Sequence, residues 1–315
     1  MKIRARWAGA LMALGLLAGT VPVRAQEPVH HSRPTESTEI NIPEHIGNEH
    51  AIELPYAGKV ALPRWEPIRI GGFALDLSPT KHMIFMVLAA VIVALTFVLS
   101  GRAIARADAR GRPPTGFAGA MEAMALWMRQ EVVLPNVGPH GEGYSPFILT
   151  LFFFILVMNL MGVLPWGATP TGNITVTAAL AIVAFIVIEV SGMIALGPKG
   201  YLRTIFYLPH GLPGGVGGTV LKVVLLVILT PIEIIGKLAK PFALAVRLFA
   251  NMIAGHVLVL ALIGLAFVFQ SYAVGVSASI LGTGVMVLDV FVAFLQAFVF
   301  ALLTAVFIGL MREAH

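Results

Sequence analysis

The sequence predicts an all-α polytopic membrane protein in which five helices cross the bilayer and one amphipathic helix lies along its surface. Composition is the first observation behind this prediction: of 315 residues, 58% are hydrophobic and only 12% are charged, with a mean hydropathy of +0.89. Soluble domains are usually about one quarter charged. The second observation is a series of apolar runs near or above the ~20 residues that a helix needs to cross the bilayer core. The formal charge of +5 is spread between these runs, which indicates topology signals rather than nucleic-acid binding.

Residues 1–25 have the pattern of an export signal. A basic start precedes an apolar stretch, and a small-residue cleavage site stands before Gln26. A short uncleaved anchor is the alternative. Both readings place residues 26–81 outside the cytoplasm, as a polar segment ahead of a membrane domain over residues 82–315. The histidines of the polar segment do not have the spacing of a metal motif, and the chain contains no cysteine. We therefore predict no metal and no cofactor.

Apolar runs predict the first three spans at residues 83–99, 147–166 and 174–196. The first run is followed at once by a basic cluster: Arg102, Arg106, Arg110 and Arg112. Basic residues accumulate on the cytoplasmic side, so this end of the span is predicted to lie in the cytoplasm. Residues 115–133 mix apolar with polar side chains and predict the interfacial amphipathic helix. The glycine-rich segment 197–218 predicts a cytoplasmic loop, because its glycines lack the spacing and the lysine of a phosphate-binding loop.

The last two apolar segments are too long for upright crossings. As helices, residues 219–269 would reach ~75 Å and residues 276–311 would reach ~54 Å, whereas the hydrocarbon core is ~30 Å thick. Hydropathy alone would divide the first segment near Lys237, Lys240 and Pro241. Counted instead as one crossing each, the two segments predict long, strongly tilted helices beside a curved partner, with the C-terminus in the cytoplasm.

Polar side chains inside these spans are the candidates for function, since charge within a membrane is costly and usually functional. The last two segments carry Glu233, Lys237, Lys240, Arg247, Asn251, His256, Asp289 and Gln296, and the third span carries Glu189. Arginine keeps its proton under any plausible local condition. Glu233 lies 14 residues before Arg247, ~21 Å along a helix, which is too far for an ion pair. Arg247 is therefore not expected to form a static ion pair with Glu233.

Four stretches resemble subunit a of the F-type ATP synthases, and the likeness runs from about residue 83 to the C-terminus. They are NLMGVLP at 159–165, the stretch from Glu233 to Pro241, RLFANMIAGH at 247–256 and LQAFVF at 295–300. The resemblance implies a stator subunit of the bacterial inner membrane with no catalytic site of its own. Its implied partners are a rotor ring of small two-span subunits, the peripheral stalk subunit b, the catalytic head and the lipid membrane.

The resemblance also implies a role for each candidate. Protons would reach and leave the ring through two offset half-channels, and Arg247 would separate them and face a carboxyl group of the ring rather than an acid of this chain. Glu233 would line the cytoplasmic half-channel. Glu189 would assist there or form a simple interhelical hydrogen bond. Asn251 and Gln296 would hydrogen-bond near Arg247 and hold it in place, whereas Lys237 and Lys240 would extend toward the cytoplasmic interface.

His256 and Asp289 are the implied external half-channel. His256 lies nine residues beyond Arg247, ~13 Å nearer the outside and on the opposite face of the helix. Asp289 falls at a similar depth on the last helix, and histidine titrates near neutrality, which suits a proton relay. Many bacterial relatives of the family carry a glutamate and a histidine at these two positions. Here the acid and the histidine are exchanged, which resembles the mitochondrial arrangement.

Two other functional classes bury charge in a membrane. A secondary transporter or ion channel would do so, but a transporter usually has related halves with interrupted helices, and the sequence has no such repeat. A membrane-embedded hydrolase needs a nucleophile with a base or a zinc motif such as His-Glu-x-x-His, and neither is present.

Overall fold

The fold is that of a computed structural model, and it describes residues 51–54, 58–63, 68–70, 73–75, 78–138, 141–163, 169–206 and 216–313. The strands are β1 Ala51–Leu54, β2 Gly58–Ala61, β3 Ile68–Ile70 and β4 Phe73–Leu75. The α-helices are α1 Lys81–Asp108, α2 Gly116–Trp127, α3 Leu134–Val137, α4 Ser145–Val163, α5 Ile174–Ile205, α6 Val216–Phe269 and α7 Tyr272–Glu313. The predicted signal segment and the N-terminal histidines lie outside the described residues.

Two small β-hairpins precede the membrane domain, and they were not predicted from the sequence. β1 pairs antiparallel with β2, with Ala51 opposite Ala61, and β3 pairs antiparallel with β4, with Ile68 opposite Leu75. The strands are only three or four residues long. Such short strands leave little periodicity for a sequence pattern to reveal.

The first span and the interfacial helix pack against each other. α1 begins after Thr80, whose Oγ1 accepts a hydrogen bond from the backbone N–H of Met83 at 3.4 Å, and it continues to Asp108, beyond the predicted end. α2 begins at Gly116, one residue after the predicted start, but residues 128–133 form a π-helix before the short α3. The predicted single amphipathic helix is therefore divided by a π-helical segment. The helix propensities of individual residues do not indicate such a segment.

The third span continues past its predicted end after a sharp kink. Asn173 caps α5 by accepting a hydrogen bond from the backbone N–H of Thr175 at 2.9 Å. At Gly197 the backbone has φ 69° and ψ 169°, and Pro198 follows. The helix then resumes to Ile205, so the expectation of a loop from residue 197 was wrong at its start. Residues 207–215 of that segment lie outside the described part.

The two long segments are single helices, as predicted. α6 runs for 54 residues through Pro231 and Pro241, and α7 runs for 42 residues. Membrane helices tolerate proline because neighbouring helices and local adjustments satisfy the freed backbone groups. A two-residue turn joins them, with Gln270 at φ 44°.

α7 lies at the centre of the membrane domain and packs against α4, α5 and α6. Small side chains recur every four residues along its buried face: Ala293, Ala297, Ala301, Ala305 and Gly309. Small residues let neighbouring helix backbones approach closely, which is the usual source of helix association in lipid. Phe152 and Phe300, both fully buried, fill the space between these contacts.

The C-terminal end of α7 contacts α3 and the residues that follow it. Nη1 of Arg312 donates to the backbone carbonyl of Val137 at 2.9 Å, and the guanidinium lies 5.6 Å from the ring centre of Tyr144. Gly309 lies against the backbone carbonyl of Asn136, which leaves no room for a Cβ atom.

Within the described residues, five helices are long and apolar enough to cross a membrane: α1, α4, α5, α6 and α7. This confirms the predicted class, an all-helical membrane domain with five spans whose last two helices exceed the bilayer thickness.

Candidate functional site

Arg247 lies on an exposed stripe of α6. Leu244 and Leu248, about 60° and 100° around the helix from Arg247, are buried against the rest of the chain. Ala250 and Ala254 share the exposed stripe with Arg247. Among the described residues no carboxylate lies within ion-pair distance of the guanidinium. The stripe is thus a narrow surface of small side chains with one permanent positive charge, and small residues permit the close approach of a partner helix.

Asn251 and Gln296 meet across the interface between α6 and α7. Nδ2 of Asn251 donates to Oε1 of Gln296 at 2.8 Å, and Gln296 is almost completely buried. Their bond is to each other, and within the described part neither side chain bonds to Arg247. The bond joins α6 to α7. Because Asn251 lies one turn beyond Arg247 on nearly the same face, it fixes the part of α6 that carries the arginine.

Asp289 lies beside Gly255, the residue immediately before His256. A Cβ atom added at Gly255 would stand 2.5 Å from Oδ1 and 2.7 Å from Oδ2 of Asp289. The carboxylate therefore occupies the space that a larger residue at position 255 would fill. The structure brings Asp289 to the turn of α6 that carries His256, and both side chains are half-buried.

Asn159 on α4 bonds both to α7 and to the turn that precedes α5. It is completely buried on α4; its Nδ2 donates to the backbone carbonyl of Ala293 at 3.2 Å, and its Oδ1 accepts from the hydroxyl of Thr171 at 2.7 Å. Ala293 is one helical turn from Asp289 on α7. In the sequence Asn159 was noted only as part of a motif, and no contact was predicted for it.

A polar cluster joins the two halves of α5 to α6. Nζ of Lys237 lies 3.5 Å from Oε2 of Glu189 and donates to Oγ1 of Thr204 at 3.1 Å. The hydroxyl of Tyr201 donates to the same Glu189 oxygen, and Nζ of Lys237 lies 4.7 Å from the centre of the Tyr201 ring. The Lys237 side chain is only 7% exposed and that of Glu189 only 14%.

The kink at Gly197 makes this cluster possible. Glu189 and Tyr201 are 12 residues apart, a rise of ~18 Å in a straight helix, which is beyond the reach of the two side chains. The positive φ at Gly197 turns the second half of α5 back toward the first, and this conformation favours glycine. The two halves of α5 therefore contact each other across the kink as two separate helices would.

Glu233 and Lys240 lie on either side of Lys237 along α6. Glu233 is exposed, and no basic group among the described residues lies within ion-pair distance of it. Nζ of Lys240 lies 5.0 Å from the ring centre of Phe307 on α7. The expectation that both lysines extend toward the interface was therefore wrong for Lys237, which is buried. The pair Gly197–Pro198, a strong breaker, was the available signal for the fold-back that buries it.

These features define a polytopic membrane protein that carries fixed and titratable charges on two over-long helices. The family model of the ATP synthase A chain matches residues 83–309. ATP synthase subunit a of Chlorobium phaeobacteroides (strain BS1) is 42% identical over 86% of this chain and 75% of its own length. ATP synthase subunit a 2 of Prosthecochloris aestuarii is 41% identical over 93% and 85%, and subunit a of Myxococcus xanthus is 42% identical over 75% and 73%.

The chain belongs to the ATP synthase A chain family. It is accordingly a multi-pass, non-catalytic membrane subunit of a proton-translocating F-type ATP synthase, and it works together with the rest of that complex in the membrane.

Proposed function

We propose that this subunit supplies two offset proton half-channels to a rotor ring of small two-span subunits, with Arg247 as the barrier between them. The observation that carries the proposal is the placement of Arg247. Its charge lies on an exposed stripe of α6, next to the small side chains of Ala250 and Ala254, and without a carboxylate partner within ion-pair distance in the described chain.

The chemistry of the barrier follows from a fixed positive charge. A ring carboxyl group that reaches Arg247 is stabilised in its ionised form, because an opposite charge within a few ångströms favours that form. It therefore releases its proton on one side before it passes. Arginine cannot serve as an acid or base in a protein, so the same charge prevents direct proton transfer between the half-channels.

Glu233 is assigned to the cytoplasmic half-channel. It is exposed, lies ~21 Å along α6 from Arg247 and has no cationic partner among the described residues, so its carboxylate is available for proton exchange. Glu189 was expected to assist here or to form an interhelical contact. Its engagement with Lys237 and Tyr201 supports the second alternative, and it is left out of the proposed path.

His256 and Asp289 are assigned to the external half-channel. The support is the position of the Asp289 carboxylate against Gly255, on the turn that carries His256. Both residues are half-buried, as expected of groups that line a narrow aqueous path. Asn251 and Gln296 hold α6 and α7 together between this path and Arg247.

The proposed orientation places residues 26–81 outside the cytoplasm of a bacterial inner membrane and the C-terminus inside. The exposed arginines after the core of α1, Arg102 and Arg106, support it through the positive-inside rule. Subunit b of the peripheral stalk and the catalytic head complete the proposed set of partners.

The test is ATP-driven proton pumping by the whole complex in inverted membrane vesicles. Arg247→Ala is expected to abolish pumping while the subunit remains assembled with its partners. Arg203→Ala, which removes an exposed arginine from α5, is the matched control and should pump normally. Normal pumping by Arg247→Ala would overturn the barrier. A secondary transporter or ion channel, the alternative class, would keep an ATP-independent substrate flux in the same vesicles.

A second test addresses the external half-channel. The double substitution His256→Glu with Asp289→His exchanges the acid and the base and is expected to retain part of the pumping rate. Either single substitution leaves two acids or two histidines and should pump less than the double variant. A double variant that assembles normally but pumps no better than the single variants would contradict the assignment.

A further inference from the structure

The position of Lys237 is unexpected given its neighbour on the same helix. Glu233 precedes Lys237 by four residues, which is the favourable spacing and order for a helical ion pair. In the structure the two do not pair. Lys237 points into the interface with α5, where its side chain is 7% exposed, while Glu233 remains exposed.

The inward position of Lys237 depends on α5. A buried ammonium group needs a counter-ion and hydrogen-bond acceptors, because its desolvation is otherwise very costly. Glu189 supplies the charge at 3.5 Å, Thr204 supplies an acceptor at 3.1 Å, and the Tyr201 ring lies 4.7 Å below the nitrogen. Tyr201 also donates to Glu189 and so orients the carboxylate. Of these groups only Glu189 carries the compensating charge.

We infer that Glu189 is a positioning residue that draws Lys237 into the helix interface and thereby keeps Lys237 from pairing with Glu233. The inference rests on the proposed role of Glu233 in the cytoplasmic half-channel. A carboxylate paired with an ammonium group resists protonation, so a Glu233–Lys237 pair would block the proton exchange that the half-channel needs. Lys240, the next cation along α6, is turned away in the same manner by the ring of Phe307, at 5.0 Å.

The principal variant is Glu189→Gln, which keeps the shape of the side chain and an acceptor for Tyr201 but removes the charge. Lys237 then lacks a counter-ion in the interface, and Glu233, one turn away, is the nearest carboxylate on its own helix. Lys237 is then expected to pair with Glu233 and to keep its carboxylate ionised. Because an ion pair away from bulk water is stronger than one in it, pumping per assembled complex should fall roughly five- to tenfold.

The second-site variant separates positioning from a structural role. Glu189→Gln combined with Lys237→Met removes the cation that would pair with Glu233, so pumping per assembled complex should return to near the parental rate. Lys237→Met alone should also pump at near that rate, even if less of the complex assembles. Glu142→Gln, which breaks the exposed pair with Arg129 at 3.3 Å, is the matched control and should have no effect.

Three measurements decide the outcome in vesicles that hold the whole complex: assembled subunit by immunoblot, ATP hydrolysis and proton pumping. Full pumping by Glu189→Gln would overturn the inference. So would a double variant that pumps as poorly as Glu189→Gln, since Glu189 would then carry protons itself. Glu233→Gln is measured in parallel. If it pumps normally, the proposed half-channel fails; if it is impaired while Glu189→Gln is not, only this inference fails.

Discussion

The carboxylate of Asp289 on α7 lies against the α-carbon of Gly255 on α6, so closely that a Cβ atom at position 255 would stand 2.5 Å from Oδ1. A glycine is therefore required here for the approach of an acid from the facing helix rather than for a special backbone conformation. The contact sets the depth at which the acid meets α6, next to His256.

Gly255→Ala should therefore displace the Asp289 carboxylate. The side chain is short and has few alternative positions, so the acid or the helix must shift by roughly an ångström. A displacement of this size in a reacting group lowers rates by about ten- to a hundredfold. We expect a loss of that order in ATP-driven pumping by vesicles, with the subunit still assembled.

Gly264→Ala is the matched control for this change. It lies on the same helix, and a Cβ atom there would meet no other atom within 4 Å. Pumping by Gly264→Ala should equal that of the parent. Equal pumping by Gly255→Ala would show that the position of Asp289 does not matter for proton transfer.

The bond between Asn251 and Gln296 predicts a stability effect. Asn251→Ala leaves Oε1 of the buried Gln296 without its donor, and an unsatisfied buried polar group costs about 1–3 kcal/mol. The temperature at which the detergent-solubilised complex releases this subunit should fall accordingly. Ser279→Ala removes an exposed hydroxyl whose hydrogen bond goes to a backbone carbonyl of its own helix, and it should not change that temperature. The same release temperature for both variants would mean that the bond does not hold α6 to α7.

The kink in α5 predicts a further effect on the polar cluster. Gly197 has φ 69° and ψ 169°, a conformation that is almost restricted to glycine and costs other residues about 1–3 kcal/mol. Gly197→Ala should therefore straighten or destabilise this point and weaken the contact of Tyr201 with Glu189. We expect less assembled subunit in the membrane, measured by immunoblot of purified complex.

Gly217→Ala is the control for the kink. Gly217 lies in the first turn of α6 with open space around its α-carbon, so alanine should be neutral there. If the Gly197→Ala variant assembles in the same amount as the parent, the kink does not need glycine.

The membrane helices were predictable because each is a long apolar run with clear boundaries. The continuity of α6 was predicted only by counting residues 219–269 as one crossing, since Lys237 and Lys240 interrupt the hydropathy. The structure shows why the lysines are tolerated: Lys237 has a carboxylate from α5, and Lys240 has an aromatic ring from α7. Both partners are distant in sequence, so a local pattern cannot reveal them.

The candidate site was predictable in part. Helical arithmetic placed Asn251 near Arg247 and placed Asp289 at the depth of His256, because both follow from the regular rise of long helices. The contacts of Glu189 could not be predicted in this way. They depend on a change of direction at Gly197, and the size of a kink is a tertiary property that the residues Gly197–Pro198 indicate but do not determine.

The proposed orientation predicts a pattern of cysteine labelling. The chain contains no cysteine, so a single introduced cysteine is the only labelling site in this subunit. The two variants are Arg112→Cys and Ser271→Cys. Arg112 follows the first span, Ser271 is in the turn between α6 and α7, and both positions are exposed. If the C-terminus is cytoplasmic and five helices cross, these positions lie on opposite sides. A membrane-impermeant maleimide should label Ser271→Cys in right-side-out vesicles and Arg112→Cys only in inverted ones, whereas the cysteine-free parent reports background. Labelling of both from one side would require an even number of crossings between them, and the single crossing assigned to α6 would then be wrong.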